Sequence, residues 1–281
     1  MGVTIVGNLL VIIMVAHFKV LHNPTNFFVL SLAVADFGIG ALILPFSIVR
    51  CVEMCWYFGD VFCRLHTCMD TVFCIASIFN LCFISIDRYY AICDPLRYPV
   101  KVTDRVTFTF IGAGWFISVS YPAAILYGNI IDGWLSYLLP TPPCIDSCQL
   151  MFNRLWGWVM FPVFFVPCVI MISLYLRIFV VATRQARIIN SMAEKSRDSA
   201  GMPSKRERKA AKTLGIAVGV YLMCWIPFVL DTMSDLFTNY STPPFLFEFI
   251  MWIQYSNSTW NPIIYGFFYP WFRKALKAIF T

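Results

Sequence analysis

The chain has 281 residues, of which 59% are hydrophobic and only 13% charged, and its formal net charge is +6. Soluble globular proteins carry about 25% charged residues, so this composition excludes an ordinary water-facing fold. Seven long apolar runs account for it, at about 1–18, 26–50, 61–92, 106–127, 152–183, 208–235 and 245–268. Each is long enough to read as a membrane-crossing helix. Strands of a membrane barrel would alternate apolar and polar residues, whereas these runs are apolar all round. The predicted fold is an all-α seven-transmembrane helix bundle, one domain over 1–281, with a short amphipathic cytoplasmic helix at 270–280.

Of the 21 Lys and Arg residues, all but Arg50, Arg64 and Arg154 fall in 19–25, 88–105, 177–212 and 273–281. Basic residues concentrate in cytoplasmic loops, so these connections are predicted to face the cytoplasm and the amino terminus the outside. The positive charge is thus a topology signal, helped by anionic inner-leaflet lipid, and calls for no nucleic-acid partner.

The first run carries Asn8 only a turn or two from Met1 and lacks the basic start of a signal peptide. Its shortness leads to the expectation of an amino-terminal extension and a further outer half of the first helix. The second run holds Asp36, a carboxylate at membrane depth, which is costly and usually functional. Asn8, Ser77, Asn257, Ser258 and Asn261 on other runs would surround it. They would make either a hydrated site for a monovalent cation, Na+, or a helix-packing cluster without an ion. No other cofactor is expected.

The third run begins near Cys63, carries Asp70 partway down and ends in Asp87-Arg88-Tyr89. Asp70 and Arg88 lie about 27 Å apart on a helix, close to the bilayer thickness of about 30 Å, so a sensor at one face and an effector at the other are expected. Of the 11 Cys, those inside the runs (Cys68, Cys74, Cys82, Cys168, Cys224) read as small core fillers. Cys63, Cys144 and Cys148 sit on the oxidising side. A bridge Cys63–Cys148 would tether the loop after the fourth helix across the cavity mouth, leaving Cys144 for Cys51, Cys55 or a residue outside this sequence. Three His and no clustered ligand spacing reject a zinc site. Asn239-Tyr240-Ser241 is a glycosylation sequon in an outer loop.

One set of residues per helix carries a family resemblance over essentially the whole chain: Asn8, Leu32 to Asp36, Asp87-Arg88-Tyr89, Trp115, Pro167, Cys224-Trp225-Ile226-Pro227 and Asn261-Pro262-Ile263-Ile264-Tyr265. This resembles the rhodopsin-like class of G-protein-coupled receptors. The run Asn257 to Phe272, with its closing Tyr-x-Trp-Phe, resembles the seventh-helix fingerprint of the trace-amine-associated receptors. The resemblance implies a plasma-membrane receptor for an extracellular amine, acting on a heterotrimeric G protein of the stimulatory kind that raises cyclic AMP. It also implies that Asp70 anchors the amine, and that Asp87, Arg88, Tyr89, Tyr175, Asn261, Pro262 and Tyr265 form the switch. Glu207 is expected to pair with Arg88 at rest. The family's loop cysteines serve two bridges, one to the third helix and one to the amino terminus. Tyr221 departs from the usual Phe below the sixth-helix Trp.

A buried carboxylate needs a partner, and a protonated amine would supply one to Asp70. Thr71 and Cys74 flank it on the third run. Trp225, Phe228 and Val229 on the sixth run, and Met251, Trp252 and Tyr255 on the seventh, line the rest of the cavity; their rings would add cation–π attraction. Glu248 shares a helix face with Met251, Tyr255 and Ser258 and is expected to look into the cavity about 10 Å above Tyr255. Two carboxylates at opposite ends of an aromatic slot would suit a diamine or polyamine. With Glu248 in solvent, the alternative is a monoamine of serotonin-like or phenethylamine type, or a non-signalling decoy or scaffold. An opsin is excluded because 245–268 holds no Lys. A transporter would show internal repeats, and an enzyme a nucleophile–base set; neither is present.

Overall fold

A computed structural model describes residues 1–53, 56–136, 154–193, 205–238 and 242–268, with Phe272, Arg273 and Lys277 beyond them. Side chains are described for the same residues except 125–136, 154–161, 182, 185–193, 205–214, 235–238, 244, 267 and 268. Seven long helices follow in chain order among the described residues: α1 Gly2–His17, α2 Pro24–Glu53, α3 Gly59–Cys93, α4 Asp104–Ser136, α5 Arg154–Ala193, α6 Lys205–Thr238 and α7 Pro244–Phe268. No strand occurs among them. The expected amphipathic helix 270–280 lies largely outside the described residues.

Each expected run is a helix, and several continue past the apolar stretch at their ends, because backbone hydrogen bonds carry on where the lipid stops. α2 to α6 each contain a stretch long and apolar enough to cross a membrane, and α1 is a shorter apolar helix. Phe108, Phe116, Val169, Phe179, Leu230 and Phe249 lie exposed on outward faces. Such rings and branched chains belong against hydrocarbon, where only self-satisfied backbone is tolerated.

Local chemistry sets the joints. Asn23 caps α2, its side-chain oxygen accepting from the Asn26 N–H at 3.0 Å, and Pro24 sits at the first helical position. Gly59 opens α3 with φ of +77°, a left-handed conformation that favours glycine. Midway along α2 the ladder widens to a π turn over Ile39–Ile43, and the Leu44 N–H reaches back to the Ile39 carbonyl. Pro45 follows at once and has no N–H to donate, so the turn absorbs the break. The extra residue rotates the outer part of α2 by about 100° relative to a regular helix.

α3 is the axis of the bundle, packing against α2, α4, α5 and α6. α1 packs on α2 and α7, and α6 on α5 and α7, which closes the ring. At the α1–α7 contact a Cβ built on Gly7 would lie 2.8 Å from the Cγ of Pro262, so close approach requires glycine there. Trp115 of α4 ties to α2 through its indole N–H, donated to the Ser31 hydroxyl at 2.9 Å.

Candidate functional site

Asp70 on α3 is half-buried. Its Oδ2 accepts from the Tyr255 hydroxyl of α7 at 2.7 Å, and its Oδ1 from the Cys74 thiol one turn away at 3.4 Å. Among the described residues the ion pairs are Arg50–Glu248 and Arg88–Asp87, so no Lys or Arg salt-bridges Asp70. Its two donors are neutral groups, and the negative charge is left without a counter-charge in contact.

An aromatic cluster packs in the same core as Cys74 and Tyr255. Trp225 is buried, with Phe164 of α5 at 4.8 Å between ring centroids and Phe228 edge-on at 6.2 Å. Beneath it lies Tyr221, fully buried, 5.9 Å from Trp225, with its hydroxyl 3.7 Å from the Cys168 sulfur. Trp252 meets Tyr255 edge-on at 6.0 Å. Met251 is buried, and Phe228, Val229 and Trp252 pack against the core. The Thr71 hydroxyl is spent on its own helix, donating to the Thr67 carbonyl at 2.8 Å.

Glu248 departs from expectation. It is neither in solvent nor free for a second amine: its Oε1 accepts from the Arg50 Nε at 2.9 Å, and both residues are only 8% exposed. The widened turn in α2 puts Arg50, with the buried Ser47, on the inner face of the bundle. Sequence reasoning counted Arg50 only as an outer-loop charge. The signal that could have found it was a proline following a Gly-containing apolar run. His66, buried one turn above Asp70, was also missed, as was Phe164. The His66 Nε2 donates to the Ile43 carbonyl at 3.2 Å, and its Nδ1 is buried without a hydrogen-bond partner.

A second polar cluster lies deeper. Asp36 is fully buried; its Oδ2 accepts from the Asn261 amide at 2.7 Å and its Oδ1 from the hydroxyls of Ser258 at 2.8 Å and Ser77 at 3.3 Å. Asn8 does not bond Asp36. It donates instead to the Thr4 carbonyl at 2.9 Å and the Ser258 carbonyl at 3.0 Å, tying α1 to α7. Asn257 is buried beside Ser258, and the amide oxygens of Asn8 and Asn257 have no hydrogen-bond partner. A carboxylate, two hydroxyls and orphaned amide oxygens are hard oxygen ligands, a donor set that fits a small monovalent cation.

At the other end of α3 Asp87 is the hub. It accepts from the Thr25 hydroxyl of α2 at 2.8 Å and from the Tyr98 hydroxyl at 2.8 Å. Arg88 donates to it through Nε at 2.8 Å and a terminal nitrogen at 2.6 Å, and also to Thr25. Tyr98 stands in the short helical turn Tyr98–Lys101 between α3 and α4. Burial, and then the Asp87 charge, push its hydroxyl above the usual tyrosine range. Tyr89 lies edge-on to Tyr90 at 5.6 Å, and Lys101 stands 4.8 Å over the Tyr90 ring. Tyr175 packs half-buried against the core, and Tyr265 is buried in it, three residues before the end of α7 and three after Pro262. The expected Glu207 partner of Arg88 lies outside the described side chains; the contacts described for Arg88 are within α3 and to α2.

Cys63 is disulfide-bonded, while Cys144, Cys148 and Asn239 lie outside the described residues. Cys51, Cys68, Cys74, Cys82, Cys168 and Cys224 are free thiols, as expected of core fillers for all but Cys51, which was one candidate partner for Cys144.

The family model for the seven-transmembrane receptors of the rhodopsin family matches residues 7–265. Trace amine-associated receptor 5 of Rattus norvegicus is 57% identical over 281 residues, all of this chain and 82% of that protein. The Homo sapiens receptor of the same name is 56% identical over 277 residues, 99% of this chain and 81% of that protein. Trace amine-associated receptor 9 of Mus musculus is 50% identical over 277 residues, 97% of this chain and 80% of that protein. The chain belongs to the trace-amine-associated receptors of the rhodopsin family. It is therefore a receptor and not an enzyme, and a multi-pass membrane protein. In this receptor three polar clusters follow α3 from its start to its end: Asp70, then Ser77 with Asp36, then Asp87–Arg88.

Proposed function

We propose that this receptor is switched by an extracellular amine carrying one ammonium group, whose charge is taken by Asp70. One observation carries the reading: a half-buried carboxylate with only neutral donors, Tyr255 and Cys74, which share a core with an aromatic cluster. Ammonium–carboxylate hydrogen bonds are the strong kind, and the rings of Trp225, Phe228, Trp252 and Tyr255 add cation–π attraction of roughly 0.5–2 kcal/mol each. The ion pair of Glu248 with Arg50 supports a monoamine over the diamine or polyamine expected from sequence. At an effective dielectric of about 20, two unit charges about 4 Å apart interact by about 4 kcal/mol. A second ammonium near Glu248 would gain that attraction and meet repulsion of similar size from Arg50.

Activation is a population shift between two packings. Agonist against Trp225 presses on the Trp225–Tyr221 stack. α6 swings about Pro227, which removes a backbone hydrogen bond in that helix. The clamp of Asp87, Thr25 and Tyr98 on Arg88 then opens, and a cytoplasmic cavity receives a heterotrimeric G protein of the stimulatory class. The amino terminus faces the outside of the plasma membrane, as the basic loops require. Na+ at Asp36 would stabilise the resting packing, held by Ser77, Ser258 and the Asn257 amide oxygen.

The test is a cyclic-AMP reporter in cells expressing the receptor, dosed with a panel of monoamines and diamines. A monoamine is expected to raise cyclic AMP, and Asp70→Asn to lose at least 100-fold in potency. Silence toward every amine, with the receptor verified at the cell surface, would make it a decoy or scaffold instead.

A further inference from the structure

Glu248 and Arg50 form an unusual pair for a buried position. A single hydrogen bond joins them, Arg50 Nε to Glu248 Oε1 at 2.9 Å. The Arg50 Nη2 and Glu248 Oε2 are both buried with no hydrogen-bond partner. Close by on α2 and α3, the Ser47 hydroxyl and the His66 Nδ1 are buried and unpartnered as well. Pairs kept for stability alone are usually bonded at every polar atom, since buried charge is costly. This one retains donor and acceptor capacity in a cluster shared by α2, α3 and α7, one turn above Asp70.

Counting formal charges shows what the pair does. Asp70 and Glu248 are two carboxylates, and among the described residues Arg50 is the one Lys or Arg that ion-pairs with either of them. The cavity is left matched to a single positive charge. Glu248 lies about 10 Å along α7 from Tyr255, whose hydroxyl holds Asp70, a separation that an extended diamine bridges. Resting on the amine-receptor reading above, we infer that Arg50 is the residue that sets the charge of the agonist: by occupying Glu248 it restricts the receptor to monocations, and without it Asp70 and Glu248 form a two-ended site for a short α,ω-diamine. Arg50 acts through Glu248 and does not itself touch the amine. Its presence at the site depends on the widened turn in α2, since a regular helix would carry it about 100° away.

The experiment compares Arg50→Gln, Glu248→Gln and the double variant with the natural receptor, using cadaverine and its one-amine counterpart pentylamine as probes. Cyclic AMP is read at matched surface level. Pentylamine feels the freed Glu248 only at long range, so on Arg50→Gln the gain in cadaverine potency over the natural receptor and over the double variant is expected to exceed that of pentylamine at least tenfold. Equal cadaverine potency on Arg50→Gln and the double variant overturns the inference. If Arg50→Gln is held inside the cell because Glu248 is left unpaired, growth in cadaverine should raise its surface level at least several-fold more than growth in pentylamine, since a ligand stabilises what it binds in proportion to its affinity. Absence of that rescue overturns the inference equally. The two readings fail differently: a natural receptor that answers no amine removes both, whereas a monoamine response abolished by Asp70→Asn, with no gain in Arg50→Gln, removes only this one.

Discussion

Replacing Glu248 with Gln separates a charge-compensating role from a ligand-anchoring one. The substitution keeps the side chain's size and leaves Arg50 buried without its counter-charge. Breaking one side of a buried ion pair costs about 3–5 kcal/mol of stability, so the solubilised variant should unfold at a clearly lower temperature. If the ammonium at Asp70 stands as far from the freed guanidinium as Tyr255 stands from Glu248 along α7, about 10 Å, the two repel. At an effective dielectric of about 20 that repulsion is about 1.7 kcal/mol, or roughly 20-fold in agonist potency. A monoamine should therefore weaken by about that factor on Glu248→Gln, although Glu248 never touches it. The double variant Arg50→Gln with Glu248→Gln removes both charges and should recover most of the loss, and a double-mutant cycle from cyclic-AMP dose–response curves measures the coupling directly. Unchanged monoamine potency on Glu248→Gln, or a double variant as weak as the single, would refute the compensation argument.

Gly7→Ala should destabilise the receptor by about 1–3 kcal/mol, because the new Cβ would sit 2.8 Å from the rigid Pro262 ring; thermal denaturation in detergent checks it, and an unchanged midpoint counts against close α1–α7 packing. Tyr98→Phe removes the 2.8 Å hydrogen bond to Asp87, an interaction with a charged group worth about 1.5–3 kcal/mol. The clamp on Arg88 loosens, and agonist-free cyclic AMP should rise; a flat baseline would show that Tyr98 does not restrain the switch. Agonist affinity in membranes should fall as Na+ is raised, and Asp36→Asn should abolish that dependence. Sodium sensitivity surviving in the variant would place the ion elsewhere.

Much of the architecture was legible along the chain. An apolar run of about 20 residues has one low-energy state in hydrocarbon, the helix, because no water satisfies its backbone. The helical spans therefore follow from composition. Asp36, Asp70 and Asp87 also stood out, since a carboxylate amid apolar residues is expensive anywhere in such a helix. Asp70 meeting Tyr255, and Asp36 meeting Ser77, Ser258 and Asn261, were anticipated in this way.

What only the tertiary structure decided is which charge meets which. Facing directions were reckoned on regular helices, and a single widened turn before Pro45 changes every direction beyond it in α2. Arg50 thereby leaves the class of loop charges and neutralises Glu248, which moves the reading from two cations to one. Around Arg88 the described bonds run to its neighbour Asp87 and to Thr25 on α2, with Tyr98 holding Asp87 from the loop; Glu207 lies outside the described side chains. Such pairings depend on distances of a few ångströms between segments far apart in sequence. Periodicity can assign a residue to a face, but the partner on the opposing helix depends on how the two helices are rotated and stacked.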